Sequence, residues 1–151
     1  MTMLLVVAGL RGQSISDTSI DHLLARVQSN SDTIYVVNFW ATWCHPCVAE
    51  LPIFSSERLN TLKYPTKVIL VSLDFKNQVD KQLIPFIQKK GISHEVFLLN
   101  ERNPNEWIDK IDKSWSGAIP ATLIYQGRTK AFHEGELSVA QLLDLINQTS
   151  H

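Results

Sequence analysis

The chain of 151 residues has two cysteines, Cys44 and Cys47, separated only by His45 and Pro46. Two thiols at that spacing can cycle between dithiol and disulfide, and the thiolate is the reactive form in either direction. An apolar, β-branched run from Ile34 to Trp40 leads into the pair. Apolar residues at helical spacing follow it: Val48, Leu51, Phe54, Leu59 and Leu62. The cysteines are therefore expected where a buried strand turns into a helix. A helix start offers free N–H groups and the positive end of the dipole, which is worth at most about 2 kcal/mol. That alone would bring Cys44 roughly one unit below its ordinary value of about 8.5. His45 adds a donor, or a charge when protonated. Pro46, with no N–H and a fixed φ, suits the first helical turn. In such a pair the first cysteine faces solvent and the second lies under it, so Cys44 reads as the attacking thiolate and Cys47 as the resolving thiol. Half a zinc site or two structural thiols is the alternative. Zinc normally takes four ligands and there is no second cysteine pair, so no metal is expected.

Glu50 lies three residues after Cys47, so a helix puts both on one side. Beside apolar Val48 and Leu51 it is placed for partial burial. Burial would raise its pKa and let it carry a proton near neutral pH. As a solvated helix residue it would do neither, and both readings stand at this point.

Trp43-Cys44-His45-Pro46-Cys47 with Glu50 and Pro52, together with the distant segment Gly117-Ala118-Ile119-Pro120-Ala121-Thr122, resembles the thioredoxin superfamily, and within it the TlpA/ResA-like thiol-disulfide oxidoreductases. The resemblance runs from about Ile20 to Ile146. It implies that Ile119-Pro120 is a cis-proline loop in which the backbone of Ile119 pairs with substrate like a short strand. It also implies that Glu50 helps to deprotonate Cys47. Asn38 stands where small thioredoxins carry a buried Asp. An amide cannot take that proton, which makes Glu50 the better candidate; otherwise Asn38 reads as a core amide satisfied by backbone. Trp43 is expected to cover the sulfurs and Trp40 to pack in the core. Trp115, close to Pro120 in sequence, is a candidate for the wall of the substrate groove.

The elements needed to hold these residues are legible in order. The first residues, Met3 to Leu10, are apolar but too short to span a bilayer, and no Lys or Arg precedes them. Residues 1–17 read as a signal remnant or a tail, and 18–151 as a thioredoxin-like domain. Ser14–Ser19 is expected as polar linker, with Thr18 or Ser19 capping a short helix. Ile34–Trp40 and Val68–Leu73 are strands, and Pro52 should kink the helix after Cys47. Asp74–Gln78 falls at a strand's carboxyl end, where loops contact ligands. Val79–Lys90 is helical despite Pro85, and Gly91 stops it. Glu95–Leu99 is a strand, and Asn103-Pro104-Asn105-Glu106 starts a helix. Ala121–Tyr125 and Lys130–Glu134 form a hairpin, and Ser138 with Gln141 makes a capping box before the last helix. Strands alternate with helices and end in a hairpin. The fold expected is α/β and thioredoxin-like: a mostly parallel central sheet, an antiparallel C-terminal hairpin and helices on both faces. The resemblance orders the strands through Val96, Val68, Ile34, Ala121 and Lys130.

Composition narrows the function. With 14 basic and 15 acidic residues the formal net charge is −1, which implies no nucleic acid and no anionic membrane surface. His22, His94, His133 and His151 show no ligand spacing. The resemblance implies a thiol-disulfide oxidoreductase with no cofactor beyond the Cys44–Cys47 pair. It would be a monomer, acting on disulfide- or dithiol-containing proteins, supplied by an upstream electron donor and working as a reductant in the cell envelope, with a cytoplasmic location as the alternative. A thiol peroxidase and a metal-carrying thioredoxin-like module are the other function classes.

Overall fold

The computed structural model describes residues 15–29 and 32–150. The apolar start of the chain and His151 lie outside the described residues. The element order is β1 (Ser16–Thr18), α1 (Ile20–Val27), β2 (Ile34–Trp40), α2 (His45–Glu50), β3 (Thr66–Ser72), α3 (Ile84–Lys90), β4 (Glu95–Leu99), α4 (Pro104–Ile111), β5 (Ala121–Gln126), β6 (Thr129–Glu134) and α5 (Val139–Thr149). The strands form one sheet in the order β1-β4-β3-β2-β5-β6. β1, β4, β3 and β2 run parallel, β5 is antiparallel to β2, and β6 to β5. This is the thioredoxin-like α/β arrangement, in the strand order expected, with one more strand at the edge.

That extra strand corrects the reading of Ser14–Ser19 as linker. Ser16–Thr18 pairs in register with Phe97–Leu99. It has no apolar alternation of its own; the open edge of β4 supplies the ladder partners that order it. Ser19 then caps α1, its hydroxyl accepting the His22 N–H at 3.2 Å.

β2 explains why one sheet divides the interior. Ile34, Val36 and Trp40 face one core, while Val37 and Phe39 face the other. The first core holds Cys44, Cys47 and Phe54; the second holds Trp107 and Trp115. The helix after Cys47 is shorter than its apolar spacing suggests. The α-helix ends at Glu50, and 3₁₀ turns continue through Leu51–Ser55 and Glu57–Thr61. Pro52 lacks the N–H that an α-helical turn would need there. Val79–Leu83 is a π turn feeding α3, so the helix expected across Pro85 is two pieces. The caps at Asn103 and Ser138, and the left-handed Gly91, are as read from sequence.

Trp115 is 4% exposed and belongs to the second core, which removes it from the groove wall. It packs on Phe39, Trp107 and Phe132, and its indole N–H donates to the Ala118 carbonyl at 2.8 Å. It supports the Pro120 loop from beneath. Gly117 opens that loop with φ +93°, and a Cβ there would lie 2.9 Å from Ile108 Cδ1. Gly117→Ala should therefore cost about 1–3 kcal/mol in denaturant unfolding, through a backbone conformation that L-residues avoid. A loss within about 0.5 kcal/mol would mean that the loop relaxes freely.

Candidate active site

β2 ends at Trp40, and Ala41–Cys44 turns the chain into α2, with the Cys44 N–H donating to the Ala41 carbonyl at 3.2 Å. Cys44 is the N-cap of α2: its Sγ accepts the Cys47 N–H at 3.4 Å, and its carbonyl accepts the Val48 N–H at 3.1 Å. Cys44 and Cys47 are joined as a disulfide. Cys44 is 6% exposed and Cys47 is fully buried. Helix geometry therefore presents one sulfur at the mouth and keeps the other beneath it. On reduction, the Cys47 N–H and the helix start favour negative charge on Cys44. His45 is exposed and Pro46 half-buried in the first turn.

Across the mouth lies the loop before β5. The Ile119–Pro120 bond is cis, and the Ile119 carbonyl oxygen lies 3.7 Å from Cys44 Sγ. Sequence reasoning named both residues, and the structure brings the Ile119 carbonyl against the sulfur. Trp43 stands 55% exposed next to Cys44, and Trp40 is buried.

Glu50 closes α2 at 3% exposure. Its Oε1 accepts from Asn38 Nδ2 at 2.9 Å and its Oε2 from the Leu137 N–H at 2.5 Å. Burial pushes its pKa up to about 7; the donors Leu137 and Asn38 hold it down, and the charge of Glu136 adds to the rise. The carboxyl closes the same short helix that carries Cys47, three residues after it.

Asn38 is not a core amide satisfied by backbone alone. Besides Glu50, its Nδ2 approaches Thr122 Oγ1 at 3.1 Å and the Ala121 carbonyl at 3.4 Å. Its Oδ1 is buried with no hydrogen-bond partner among the described residues. The amide thus ties the carboxyl to β5, directly after Pro120. Two participants escaped sequence reasoning. Leu137 N–H is 87 residues from Glu50 in the chain, and a backbone donor carries no residue-type signal. Asp74, read only as part of a strand-end loop, is 5% exposed and bonded to Thr42 in the turn before Cys44. Among the described residues, no group of three or more His, Cys, Asp or Glu side chains comes together as a metal site, and no helix is long and apolar enough to cross a membrane.

A family model described as Thioredoxin matches residues 15–90, half of the chain. The chain is 33% identical over 98 residues to the thioredoxin-like protein YneN of Bacillus subtilis, covering 54% of this chain and 56% of that protein. It is 39% identical over 49 residues to the thiol-disulfide oxidoreductase ResA of Oceanobacillus iheyensis, covering 32% of this chain and 26% of ResA. It thus spans little more than half of one of these curated relatives and about a quarter of the other. Among solved structures, a thioredoxin-related protein from Neisseria meningitidis serogroup B superposes with a TM-score of 0.64 at 22% identity, covering 80% of this chain and 87% of that one, a likeness of fold.

The buried carboxyl has a signature in stability. The folded protein holds the Glu50 proton up to about pH 7, whereas the ordinary value is 4.5. Between those values the folded state binds more protons than the unfolded chain, so stability falls as pH rises through that window and levels off above it. The contribution is fully present below the unfolded value and amounts to about 3 kcal/mol. Denaturation midpoints from pH 4.5 to 8 should show this slope, and Glu50→Gln should abolish it. An identical slope in the variant would assign it to other groups.

Proposed function

We propose that this chain, which belongs to the thioredoxin family, is a thiol-disulfide oxidoreductase that exchanges disulfides with partner proteins through Cys44 and Cys47. The observation that carries this reading is a redox-active type of pair, C-H-P-C, at a helix start, with one sulfur at the mouth 3.7 Å from the Ile119 carbonyl and a titrating carboxyl one helical turn behind the other.

In the reducing direction, the Cys44 thiolate attacks one sulfur of a partner disulfide. The partner's S–S bond breaks, its second sulfur leaves as a thiolate and takes a proton, and a mixed disulfide forms. Glu50 accepts the proton of Cys47. The Cys47 thiolate attacks Cys44 Sγ, closing the intramolecular disulfide and expelling the partner sulfur that Cys44 had attacked, which leaves as a thiolate and takes a proton. Two electrons pass from the cysteine pair to the partner, and an upstream dithiol restores the pair. Ile119 offers its backbone to the partner chain in an extended conformation, next to the attacked sulfur. Trp43 forms the exposed apolar rim. The protein works as a monomeric reductant in the cell envelope, a direction and place that rest on its likeness to ResA-like proteins. A peroxidase would call for a peroxide-reactive cysteine apart from the pair, and the chain has only these two.

Cys47→Ser should accumulate mixed disulfides through Cys44 on non-reducing gels, and Cys44→Ser should not. Equal trapping by both would reverse the roles. Glu50→Gln should leave the first attack intact and slow mixed-disulfide decay by about 100-fold or more in stopped flow. An unchanged decay rate would remove Glu50 from the proton transfer.

A further inference from the structure

The turn that delivers Cys44 is short of internal support. Ala41–Cys44 closes through a single bond from the Cys44 N–H to the Ala41 carbonyl. Thr42 and Trp43 occupy its central positions, where backbone N–H groups have no partner inside a turn of this kind. Thr42 finds its partner elsewhere. Its N–H lies 3.1 Å and 3.3 Å from the two oxygens of Asp74, and its hydroxyl donates to Asp74 Oδ1.

Asp74 is fixed from its other side by the end of β3. Ser72 Oγ donates to Asp74 Oδ2 at 2.7 Å and accepts the Asp74 N–H at 3.0 Å. One step along, the Leu73 N–H donates to the Trp40 carbonyl at 2.7 Å, extending the β2–β3 ladder past its last residue pair. The carboxyl is 5% exposed, and among the described residues no Lys, Arg or His forms a salt bridge with it. Burying a carboxyl without a cation is unfavourable unless hydrogen bonds replace its water. Here they come from Ser72 and from Thr42, and the ladder already holds the two strands together. What the carboxyl adds is a hold on the chain two residues before Cys44.

We propose that Asp74 is a positioning residue for the attacking thiol: its carboxyl fixes the Ala41–Cys44 turn and so keeps Cys44 Sγ at the helix N-cap, within reach of the Cys47 N–H. This rests on the reading of Cys44 as the attacking thiolate and adds the residue that aims it. Without the clamp, Thr42 is free to rotate, the N-cap geometry is lost for part of the time, and the thiolate gives up its donor. The titratable groups on the elements packed around Cys44 are His45 and Cys47 on α2, Glu50 at its end and Asp74 itself. Positioning and charge act in opposite directions. Removing an anion near Cys44 would by itself favour the thiolate, whereas releasing the turn disfavours it.

The test is the pH dependence of Cys44 alkylation by iodoacetamide in the reduced full chain, read at the Cys44 peptide by mass spectrometry. It is paired with the rates of first attack and of mixed-disulfide decay on a model protein disulfide. Asp74→Ala and Thr42→Val should each raise the Cys44 midpoint by about half a pH unit or more, a roughly threefold loss of thiolate at pH 7. First attack should slow in proportion while decay stays unchanged, and Thr42→Ser, which keeps the hydroxyl, should behave as the parent chain. A midpoint that stays in place while stability falls would make Asp74 merely structural and overturn the proposal; a midpoint that drops would overturn it in favour of a charge effect. Should Asp74→Ala fail to fold, Thr42→Val, which leaves the Ser72–Asp74 bonds in place, decides alone. A parent midpoint at or above about 8.5 would instead refute the reading of Cys44 as an activated thiol, which separates the two failures.

Discussion

One buried carboxyl holds this site together. A group with the polarity of Glu50 at 3% exposure must find donors or stay neutral. It finds the Asn38 amide on the central strand and the Leu137 N–H just before α5. The two donors do not outweigh burial, and the group is left titrating near neutrality. Because the Asn38 amide also reaches Thr122 and Ala121, the same bonds span β2, α2, β5 and the entry to α5. The cysteine helix and the strand after Pro120 are thus fixed relative to each other by polar contacts buried between them. Such contacts are costly when broken singly, because the remaining partner is left unsatisfied.

What the sequence disclosed follows from the range of the interactions involved. The strand before Cys44, the caps at Ser19, Asn103 and Ser138, and the stop at Gly91 are set within a few residues, and residue type reports them directly. The cysteine pair and Glu50 share one helix, so spacing alone placed them together. Asn38 was noticed for its type, but its partners lie 12 to 84 positions away and could not be read from the strand that carries it. β1 is a strand only because β4 offers an edge. Trp115 looked like a groove residue by its proximity to Pro120 in the chain; its rings instead fill the space against Phe39 and Trp107. Thr42 and Asp74 are 32 residues apart, and as a threonine in a turn and an aspartate after a strand neither has an unusual setting until the sheet aligns the ends of β2 and β3.

The division of the interior by the sheet has its own result. Both cysteines, with Phe54 and Leu83, are anchored in one core; the tryptophans that support the Pro120 loop are anchored in the other. Ile119 packs against both. The two walls of the cleft therefore draw their rigidity from separate packing reservoirs on opposite sides of a central strand. Repacking one reservoir acts first on its own wall and reaches the other through β2, Ile119 and the Asn38 amide. For a protein engineer, reactivity and partner choice become two dials linked at those few points. The helix-side core sets how hard the sulfur strikes, and the tryptophan-side core sets the shape of the loop that receives the partner. Changes at Ile119, or at the Asn38 amide that ties Glu50 to Thr122, turn both at once.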